Sequence, residues 1–586
     1  MMRVLYRLWP ILVLCLLVSA VLIWRSWDVI ITRAGWDPDD QLRLVQLRDF
    51  LGGQSWFDTT QYRLNPPDGA PMHWSRLIEL PLALVVVLVT PLLDAERAEM
   101  AAGIIVPLFC LGGTTFLLAD LAEKIGGRAA GIAAAILTLI APALLLQLQP
   151  MRIDHHGWQI FCAVLALSAL FWANARKAGL IMGAALSIWL HISLEGAPMT
   201  AAIFAVLGWR WINNSSEAPR MFSTLCSFAG ASLALFLGTQ ATGFAAQQYC
   251  DTISPAHIWA IFAAVAILIV AVKAKLPHAW QRAVAVVTAG AATIGVLLWF
   301  APFCAQGAFA DLDPVVREFW YANVKEGLPV WYQDPMAVIT LLPTLAVALI
   351  GLPFAFRTAD ASHRPILLEL GFILIYASVL SLLVFRTVSV ATAFTVVPTA
   401  LCIAAAIRLY RTEPKFARRM ALVIFALILL VPGTITATIA KPFNSEEKAD
   451  AKPSNIRKAA GENCEAVSSI KALSRLPTGN ILAPFDLGPA ILLTTPHKVL
   501  ASSHHRNRQG MRDHIDIFRL PPAQARPIMQ RHHIAYLVAC LGEAELKHYV
   551  RKSPTGLWAQ IDAGNPPDWL EYQGVIGKGL KVWRVR

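Results

Sequence analysis

The sequence predicts a polytopic α-helical membrane protein, with about thirteen transmembrane helices followed by a C-terminal α/β domain. The chain has 586 residues, of which 56% are hydrophobic and only 15% are charged, and its mean hydropathy is +0.54. Soluble globular proteins carry about 25% charged residues. Apolar runs of about 20 residues, the length that crosses a bilayer as a helix, recur as far as residue 440. From residue 442 the composition is polar, which indicates a separate domain.

The candidate transmembrane helices follow one another closely. The first follows Arg3 and Arg7 and is typical of an uncleaved signal anchor. One further apolar run, residues 80–93, is short and marked by prolines, and we interpret it as a helix at the outer membrane interface. The predicted spans are 8–24, 101–119, 129–148, 157–174, 178–192, 197–212, 221–245, 257–272, 283–301, 337–356, 365–385, 388–407 and 420–440.

Lysine and arginine in alternate loops predict the orientation, because short cytoplasmic loops are enriched in both. With a cytoplasmic N-terminus, basic pairs such as Arg176–Lys177 fall inside. Residues 25–100, 149–156 and 302–336 are then outer loops of a membrane domain, 1–441, and residues 442–586 form a periplasmic domain. These features predict the inner membrane of a bacterium, with lipid as a partner. The net charge of +12 forms no continuous patch, so nucleic acid is not an expected partner.

The C-terminal domain shows alternating strand and helix signals. Strands are predicted from Asn480, from Lys498 and from Ile534, and a helix is predicted from Gly488. Of the nine cysteines, Cys464 and Cys540 belong to this domain. In a periplasmic domain they form a disulfide or remain two buried thiols, and the sequence leaves both alternatives open. The other seven are predicted to be small core residues.

Acidic residues beside a membrane are costly unless they are solvated or used in function. Three outer loops each carry one of interest: Asp37, Asp154 and Glu326. Each also has an ordinary structural explanation. Asp37 and Asp154 would cap the helices that follow them, and Glu326 would be a solvated loop acid. Together, three carboxylates on one side of the membrane favour a shared divalent cation that binds phosphate oxygens.

The motifs around these residues resemble the catalytic subunit of oligosaccharyltransferase, a membrane glycosyltransferase of the GT-C superfamily. The likeness extends over the whole chain in topology but only over short stretches in sequence. The matching motifs are Asp37-Pro38-x-x-Gln41-x-Arg43, Trp56-Phe57-Asp58, Pro67-Asp68-Gly69, Asp154-His155-His156, Asn323 to Pro329, and Pro484-Phe485-Asp486-Leu487-Gly488.

The resemblance implies a GT-C fold and a role for each matching residue. Asp37, Asp154, His156 and Glu326 would bind Mn²⁺ or Mg²⁺, and His156, which replaces a carboxylate of the family, would favour Mn²⁺. Asp37, Asp154 and Glu326 would be the catalytic residues, with Asp37 and Glu326 activating the acceptor. The substrate-binding residues would be Arg386, which would hold the donor phosphate, Arg43 and Asp486.

The function that the resemblance implies is transfer of a sugar or oligosaccharide from a polyprenyl-(pyro)phosphate-linked donor to a periplasmic acceptor. The family recognises asparagine sequons with two tryptophans, which are Pro484 and Phe485 here. The acceptor is therefore a protein, a glycan or a lipid. Two alternatives remain: transfer of a single sugar from a polyprenyl monophosphate onto lipid or cell-wall glycan, and transport of lipid-linked glycans.

Overall fold

The computed structural model describes residues 2–240, 247–310, 312–441, 464–540 and 543–586. The chain divides into two compact units. Unit 1 comprises Met1–Arg25, Ile104–Ala310 and Lys325–Glu446, and unit 2 comprises Ser26–Gly103, Asp311–Val324 and Glu447–Arg586. The predicted boundary between residues 441 and 442 borders the segment 442–463, which lies outside the described residues, as does the end of the predicted span 221–245.

Unit 1 is helical, and a helix or helix pair lies at each of the predicted spans. The helix Ala95–Gly126 begins in unit 2 and continues into unit 1. The helices are Met2–Arg25, Ala95–Gly126, Arg128–Ile140, Pro142–Leu148, His156–Leu170, Ala175–Ile192, Ala197–Asn213, Ala218–Thr239, Pro255–Lys273, Ala279–Phe300, Pro335–Leu341, Pro343–Thr358, Arg364–Leu383, Val388–Thr412, Phe416–Leu430 and Pro432–Ala440.

Among the described residues, seven helices are long and apolar enough to cross a membrane, and nine if each of two bent pairs is one span. The predicted spans 129–148 and 420–440 are these bent pairs. They turn by 64° before Pro142 and by 86° before Pro432, because a proline inside a helix removes a backbone donor and clashes with the preceding turn. Each of these two predicted spans is therefore a bent helix pair, and the count of thirteen stays a prediction.

Close helix packing in unit 1 depends on small residues. Gly179 and Gly183 lie one turn apart against the helix Ala218–Thr239, and a Cβ at Gly183 would lie 2.4 Å from the carbonyl oxygen of Thr224. Small residues at this spacing allow two backbones to approach. Of the seven long apolar helices, the one that contains Val388–Thr412 is the most buried, since 94% of its most apolar 18-residue stretch lies inside the protein. It therefore forms the centre of unit 1.

Two cysteines of unit 1 form a disulfide that the sequence analysis did not predict. Cys250 bonds Cys304 across 54 residues. Both follow spans that the alternating topology directs outward. The prediction that they are small core residues is wrong for this pair, because they lie in segments between helices. The other five are free thiols within helices. Cys110, Cys162 and Cys402 are buried as predicted, whereas Cys15 is partly buried and Cys226 is exposed, so the prediction is wrong for Cys226.

Unit 2 contains short helices and two sheets. The helix Glu79–Val89 occupies the apolar run assigned to the interface. The other helices are Trp27–Thr32, Pro38–Leu51, Pro314–Phe319, Val467–Lys471, Leu487–Thr494, Arg508–Arg519, Pro522–Arg531, Ala544–Lys552 and Leu557–Asp562. The strands are β1 (Thr60–Gln61), β2 (Ala70–Pro71), β3 (Asn480–Leu482), β4 (Lys498–Val499), β5 (Ile534–Cys540), β6 (Leu570–Ile576) and β7 (Leu580–Val585).

The C-terminal sheet confirms the predicted α/β domain. Its order is β4-β3-β5-β7-β6. Strands β4, β3 and β5 are parallel, with the helix Leu487–Thr494 between β3 and β4 in the chain, while β7 pairs antiparallel with β5 and β6. The three predicted strands are β3, β4 and β5, and the β6–β7 hairpin is an addition. Cys464 and Cys540 form a disulfide, which decides between the two alternatives.

Candidate functional site

Four segments between helices meet at one end of unit 1, and all four follow spans that the predicted topology directs outward. They carry Asp154, Glu195, Glu326 and Arg386. Nη1 of Arg386 lies 2.6 Å from Oε1 of Glu195 and 4.0 Å from Oε1 of Glu326. The structure therefore places Glu326 beside Arg386, and both residues were assigned to the site from the sequence. Glu195 is the second acidic neighbour of Arg386.

The position of Arg386 is fixed by the loop that carries Glu326. Arg386 lies in the short 3₁₀ turn Phe385–Thr387 that precedes the central helix Val388–Thr412. The amide of Phe385 donates a 3.2 Å hydrogen bond to the carbonyl of Leu328. Gly327 permits this approach, because a Cβ there would lie 2.8 Å from Nη2 of Arg386. The Glu326 side chain is about half exposed, at 55%, whereas that of Arg386 is 16% exposed.

Asp154 and two histidines form a second, buried cluster at the start of the helix His156–Leu170. Oδ1 of Asp154 accepts a 2.9 Å hydrogen bond from the amide of His156, and Oδ2 lies 3.0 Å from Nη2 of Arg152. Burial opposes ionisation of Asp154, but the charge of Arg152, the two histidines and the His156 amide together hold its pKa below the ordinary value of 3.8. Asp154 is therefore an anion in this cluster.

The donor set of this cluster fits a metal ion that accepts nitrogen. Asp154, His155 and His156 each offer one ligand atom, and these atoms lie within 4.8 Å of one another. One carboxylate and two imidazoles suit Mn²⁺ or Zn²⁺ better than Mg²⁺, which prefers oxygen ligands. His155 was not assigned to the site in the sequence analysis. The structure therefore contains a candidate metal site, as the sequence predicted, and the identity of the ion remains a proposal.

A small cavity connects the two clusters. His156 lies on one side and Arg386 with Glu195 on the other, and the remaining lining residues are Gln159, Trp189, Met199, Thr387, Ser389 and Val390. Within the part of the chain that the structure describes, Nε2 of Gln159 and Nε1 of Trp189 are buried and have no hydrogen-bond partner. Unsatisfied buried donors are costly, so the cavity is suited to a ligand rich in acceptors.

Two predicted residues, Asp37 and Arg43, belong to the N-terminal segment of unit 2. Asp37 caps the helix Pro38–Leu51, with Oδ1 accepting from the amide of Asp40 at 3.0 Å. This is the structural role that the sequence analysis kept as an alternative. Arg43 is buried, 3.1 Å from Oε1 of Glu79 and 4.1 Å above the ring of Trp74. Arg76 bonds the other oxygen of Glu79 at 2.8 Å.

The third predicted residue of unit 2, Asp486, lies at the start of the helix Leu487–Thr494, near other carboxylates. Its Oδ1 accepts a 3.4 Å hydrogen bond from Oγ of Ser503. Burial, followed by the charges of Glu545, Glu465 and Asp486, raises the pKa of Glu543 to about 9. Glu545 is satisfied by the amide of Phe485 at 2.8 Å and by Nε2 of His514 at 3.0 Å.

Glu195 is, with His155, a residue of unit 1 that sequence reasoning missed. It occupies the 3₁₀ turn Leu194–Gly196, between the helices Ala175–Ile192 and Ala197–Asn213. The signal was present, since an acidic residue between two predicted spans is costly unless it is used. Its partner Arg386 is 191 positions further along the chain, so spacing alone offered no link.

Comparison with solved structures shows the fold. No protein-family model matches the chain, and no curated protein matches it in sequence. The complex of the oligosaccharyltransferase AglB from Archaeoglobus fulgidus with an inhibitory peptide and a dolichol-phosphate is 15% identical, with a TM-score of 0.69 over 92% of this chain and 69% of that one.

Two further structures of the oligosaccharyltransferase of the same archaeon match. The enzyme tethered with an acceptor peptide containing the NVT sequon is 14% identical, with a TM-score of 0.68 over 99% of this chain and 74% of that one. The enzyme with Zn and sulfate is also 14% identical, with a TM-score of 0.57 over 97% and 72%. The chain therefore has the fold of the GT-C membrane glycosyltransferases, as predicted. Within this class its structure is similar to the archaeal oligosaccharyltransferase.

Proposed function

We propose that the protein is a metal-dependent glycosyltransferase that moves a sugar or oligosaccharide from a polyprenyl-(pyro)phosphate-linked donor to an acceptor on the periplasmic side of a bacterial inner membrane. The observation that carries the proposal is the grouping at one end of unit 1. Arg386 and Glu195 share one cavity with His156 of the buried carboxylate–histidine cluster, and the exposed Glu326 lies beside Arg386. The similar archaeal enzyme was solved in complex with a dolichol-phosphate, which supports a lipid-linked donor.

In this proposal Arg386 binds the donor phosphate. A guanidinium offers planar, charge-assisted hydrogen bonds to a phosphate, each worth about 1.5–3 kcal/mol. The turn that carries Arg386 is held by the hydrogen bond from Phe385 to Leu328, and Gly327 lies close to the Arg386 guanidinium. Thr387 and Ser389 line the same cavity, and their hydroxyls donate to the carbonyls of Val384 and Arg386.

The metal would be held by Asp154 and His156, with His155 as a further candidate. When bound there, the ion would supply Lewis-acid stabilisation of the leaving phosphate. The similar archaeal enzyme was crystallised with Zn, which supports a cation site in this fold. The nitrogen donors lead us to propose Mn²⁺ ahead of Mg²⁺.

The remaining roles rest on the resemblance. Glu326, half exposed beside Arg386, is proposed to bind the metal and activate the acceptor together with Asp37. Arg43 and Asp486 are proposed to contribute to substrate binding from unit 2. Arg43 is locked by Glu79, so we expect it to act by supporting its segment. The acceptor class remains protein, glycan or lipid.

The disulfides support the proposed orientation. Cys250–Cys304 connects two segments that the positive-inside rule places outside, and Cys464–Cys540 lies in the domain placed on the same side. Disulfides persist in oxidising compartments such as the periplasm and are rare in the cytosol. The five free thiols lie within helices.

The test is transfer of label from native polyprenyl-linked glycans to acceptors of a membrane extract by the purified full-length protein, with and without Mn²⁺. The informative variant is Glu326→Gln. Its matched control is Glu413→Gln, a glutamate whose ion-pair partner Arg418 is exposed at the surface. We expect Mn²⁺-dependent transfer by the wild type and the control, and a loss of at least 100-fold in Glu326→Gln. Donor that crosses liposome membranes without transfer would contradict the proposal and favour a transporter.

A further inference from the structure

Glu195 and Arg386 form the shortest contact of the cavity. Their 2.6 Å separation corresponds to a charge-assisted hydrogen bond. The Glu195 side chain is 32% exposed, so it reaches solvent, whereas Arg386 is half as exposed at 16%. A carboxylate and a phosphodiester present the same group to a guanidinium, namely a pair of oxygens that share negative charge. Glu195 therefore occupies the position that an anionic ligand of Arg386 would need.

Two unsatisfied hydrogen-bond donors beside this pair indicate that a ligand would contribute acceptor atoms. Nε1 of Trp189 and Nε2 of Gln159 lack partners among the described residues, and these side chains are only 1% and 5% exposed. A carboxylate held by Arg386 leaves both donors unsatisfied. A phosphodiester that carries a sugar brings further oxygens and would satisfy them. The ligand that fits is thus larger than the carboxylate that takes its place.

Of the two partners, Glu195 is the more exposed, at 32% against 16% for Arg386. Arg386 is tied by the hydrogen bond from Phe385 to Leu328 and by the close approach of Gly327. Glu195 lies in a three-residue turn between two helices. The next residue, Gly196, covers the indole of Trp189, and a Cβ there would lie 2.6 Å from Nε1. Displacement of this turn would expose Nη1 of Arg386 and the indole N–H together.

We propose that Glu195 holds the place of the donor phosphate on Arg386, and that the donor binds by exchange with it. The inference rests on the proposed function, since it assumes that Arg386 binds phosphate. Glu195 then determines how strongly and how selectively the site binds phosphate. A weak anion such as chloride does not displace the carboxylate, whereas a phosphodiester that also engages Gln159 and Trp189 does.

The experiment measures binding of a synthetic polyprenyl phosphosugar, which is a phosphodiester, against the corresponding polyprenyl alcohol, to full-length protein in detergent. Glu195→Gln keeps the shape of the side chain and removes its charge. The matched control is Glu217→Gln, because Glu217 also lies in a 3₁₀ turn before a helix and pairs with an arginine, Arg220, at 2.7 Å. Thermal unfolding verifies that each variant is folded, and Glu195→Ala is the second variant if Gln retains a hydrogen bond to Arg386.

We expect Glu195→Gln to bind the phosphate about fivefold to tenfold more tightly than the wild type. The reason is that removal of a partly exposed ion pair changes a dissociation constant by about tenfold at most. Glu217→Gln should bind as the wild type does. Equal or weaker binding by folded Glu195→Gln and Glu195→Ala would overturn the inference while leaving phosphate binding intact. If no variant distinguishes the phosphate from the alcohol, the proposed function fails with it.

Discussion

Replacing Glu543 by glutamine should stabilise the C-terminal domain at neutral pH. Glu543 has a raised pKa of about 9 because burial and the carboxylates of Glu545, Glu465 and Asp486 disfavour its charge. In the unfolded chain its pKa is near the ordinary value of 4.5. The folded state therefore binds a proton that the unfolded state releases between these values, and stability falls as pH rises from 4.5 to 9.

The size of the effect follows from the same linkage. Each pH unit between the two pKa values is worth about 1.4 kcal/mol, so the cost at pH 7 reaches about 3 kcal/mol. Glutamine mimics the protonated acid at every pH and avoids this cost. We expect Glu543→Gln to raise the free energy of unfolding by up to about 3 kcal/mol at pH 7 and by almost nothing at pH 4.

Hydrogen exchange of the strand β5, Ile534–Cys540, measures this effect in the full-length protein. Slower exchange in Glu543→Gln at pH 7, after correction for intrinsic rates, would match the expectation. Glu545→Gln is the matched control and should have the opposite effect, because Glu545 accepts hydrogen bonds from the Phe485 amide and His514. Identical protection in Glu543→Gln and wild type at both pH 4 and pH 7 would refute the reasoning.

Two further predictions concern unit 1. Loss of the disulfide in Cys250→Ser/Cys304→Ser should destabilise the protein by up to about 4 kcal/mol, given the 54-residue separation. In intact cells both thiols should react with a membrane-impermeant maleimide only after reduction, and labelling without reductant would show that the disulfide does not form. Gly196→Ala should lower the unfolding temperature, because its methyl group would overlap the ring of Trp189, and overpacking costs about 1–3 kcal/mol. Gly230→Ala is the control, since nothing lies within 4 Å of its added Cβ; an equal loss in both variants would contradict the argument.

Hydropathy and charge predicted much of the fold because each signal is local. A span is visible as an apolar run, and three strands of the C-terminal sheet were visible as short apolar segments. The bends at Pro142 and Pro432 were missed because the apolar run continues through each proline. The β6–β7 hairpin was missed since its strands alternate buried and exposed residues only in part.

Site residues that belong to a sequence motif could be predicted. Site residues that are recognised only by their contacts in the structure could not. Arg386 and Glu326 were assigned through a resemblance, and the structure joins them at 4.0 Å. Glu195 and the Cys250–Cys304 pair depend on segments that are distant in sequence, and no spacing rule connects them. His155 was passed over because a run of two histidines does not reveal which ring faces Asp154.

The central claim is that Arg386 binds the phosphate of a lipid-linked sugar donor during glycosyl transfer. The most direct test is kcat/KM for the donor in Arg386→Gln, with Glu217→Gln as the control, at saturating Mn²⁺. Loss of charge-assisted hydrogen bonds to phosphate, worth about 1.5–3 kcal/mol each, predicts a decrease of at least tenfold in Arg386→Gln and a value near wild type in the control. An unchanged kcat/KM in folded Arg386→Gln would contradict the account.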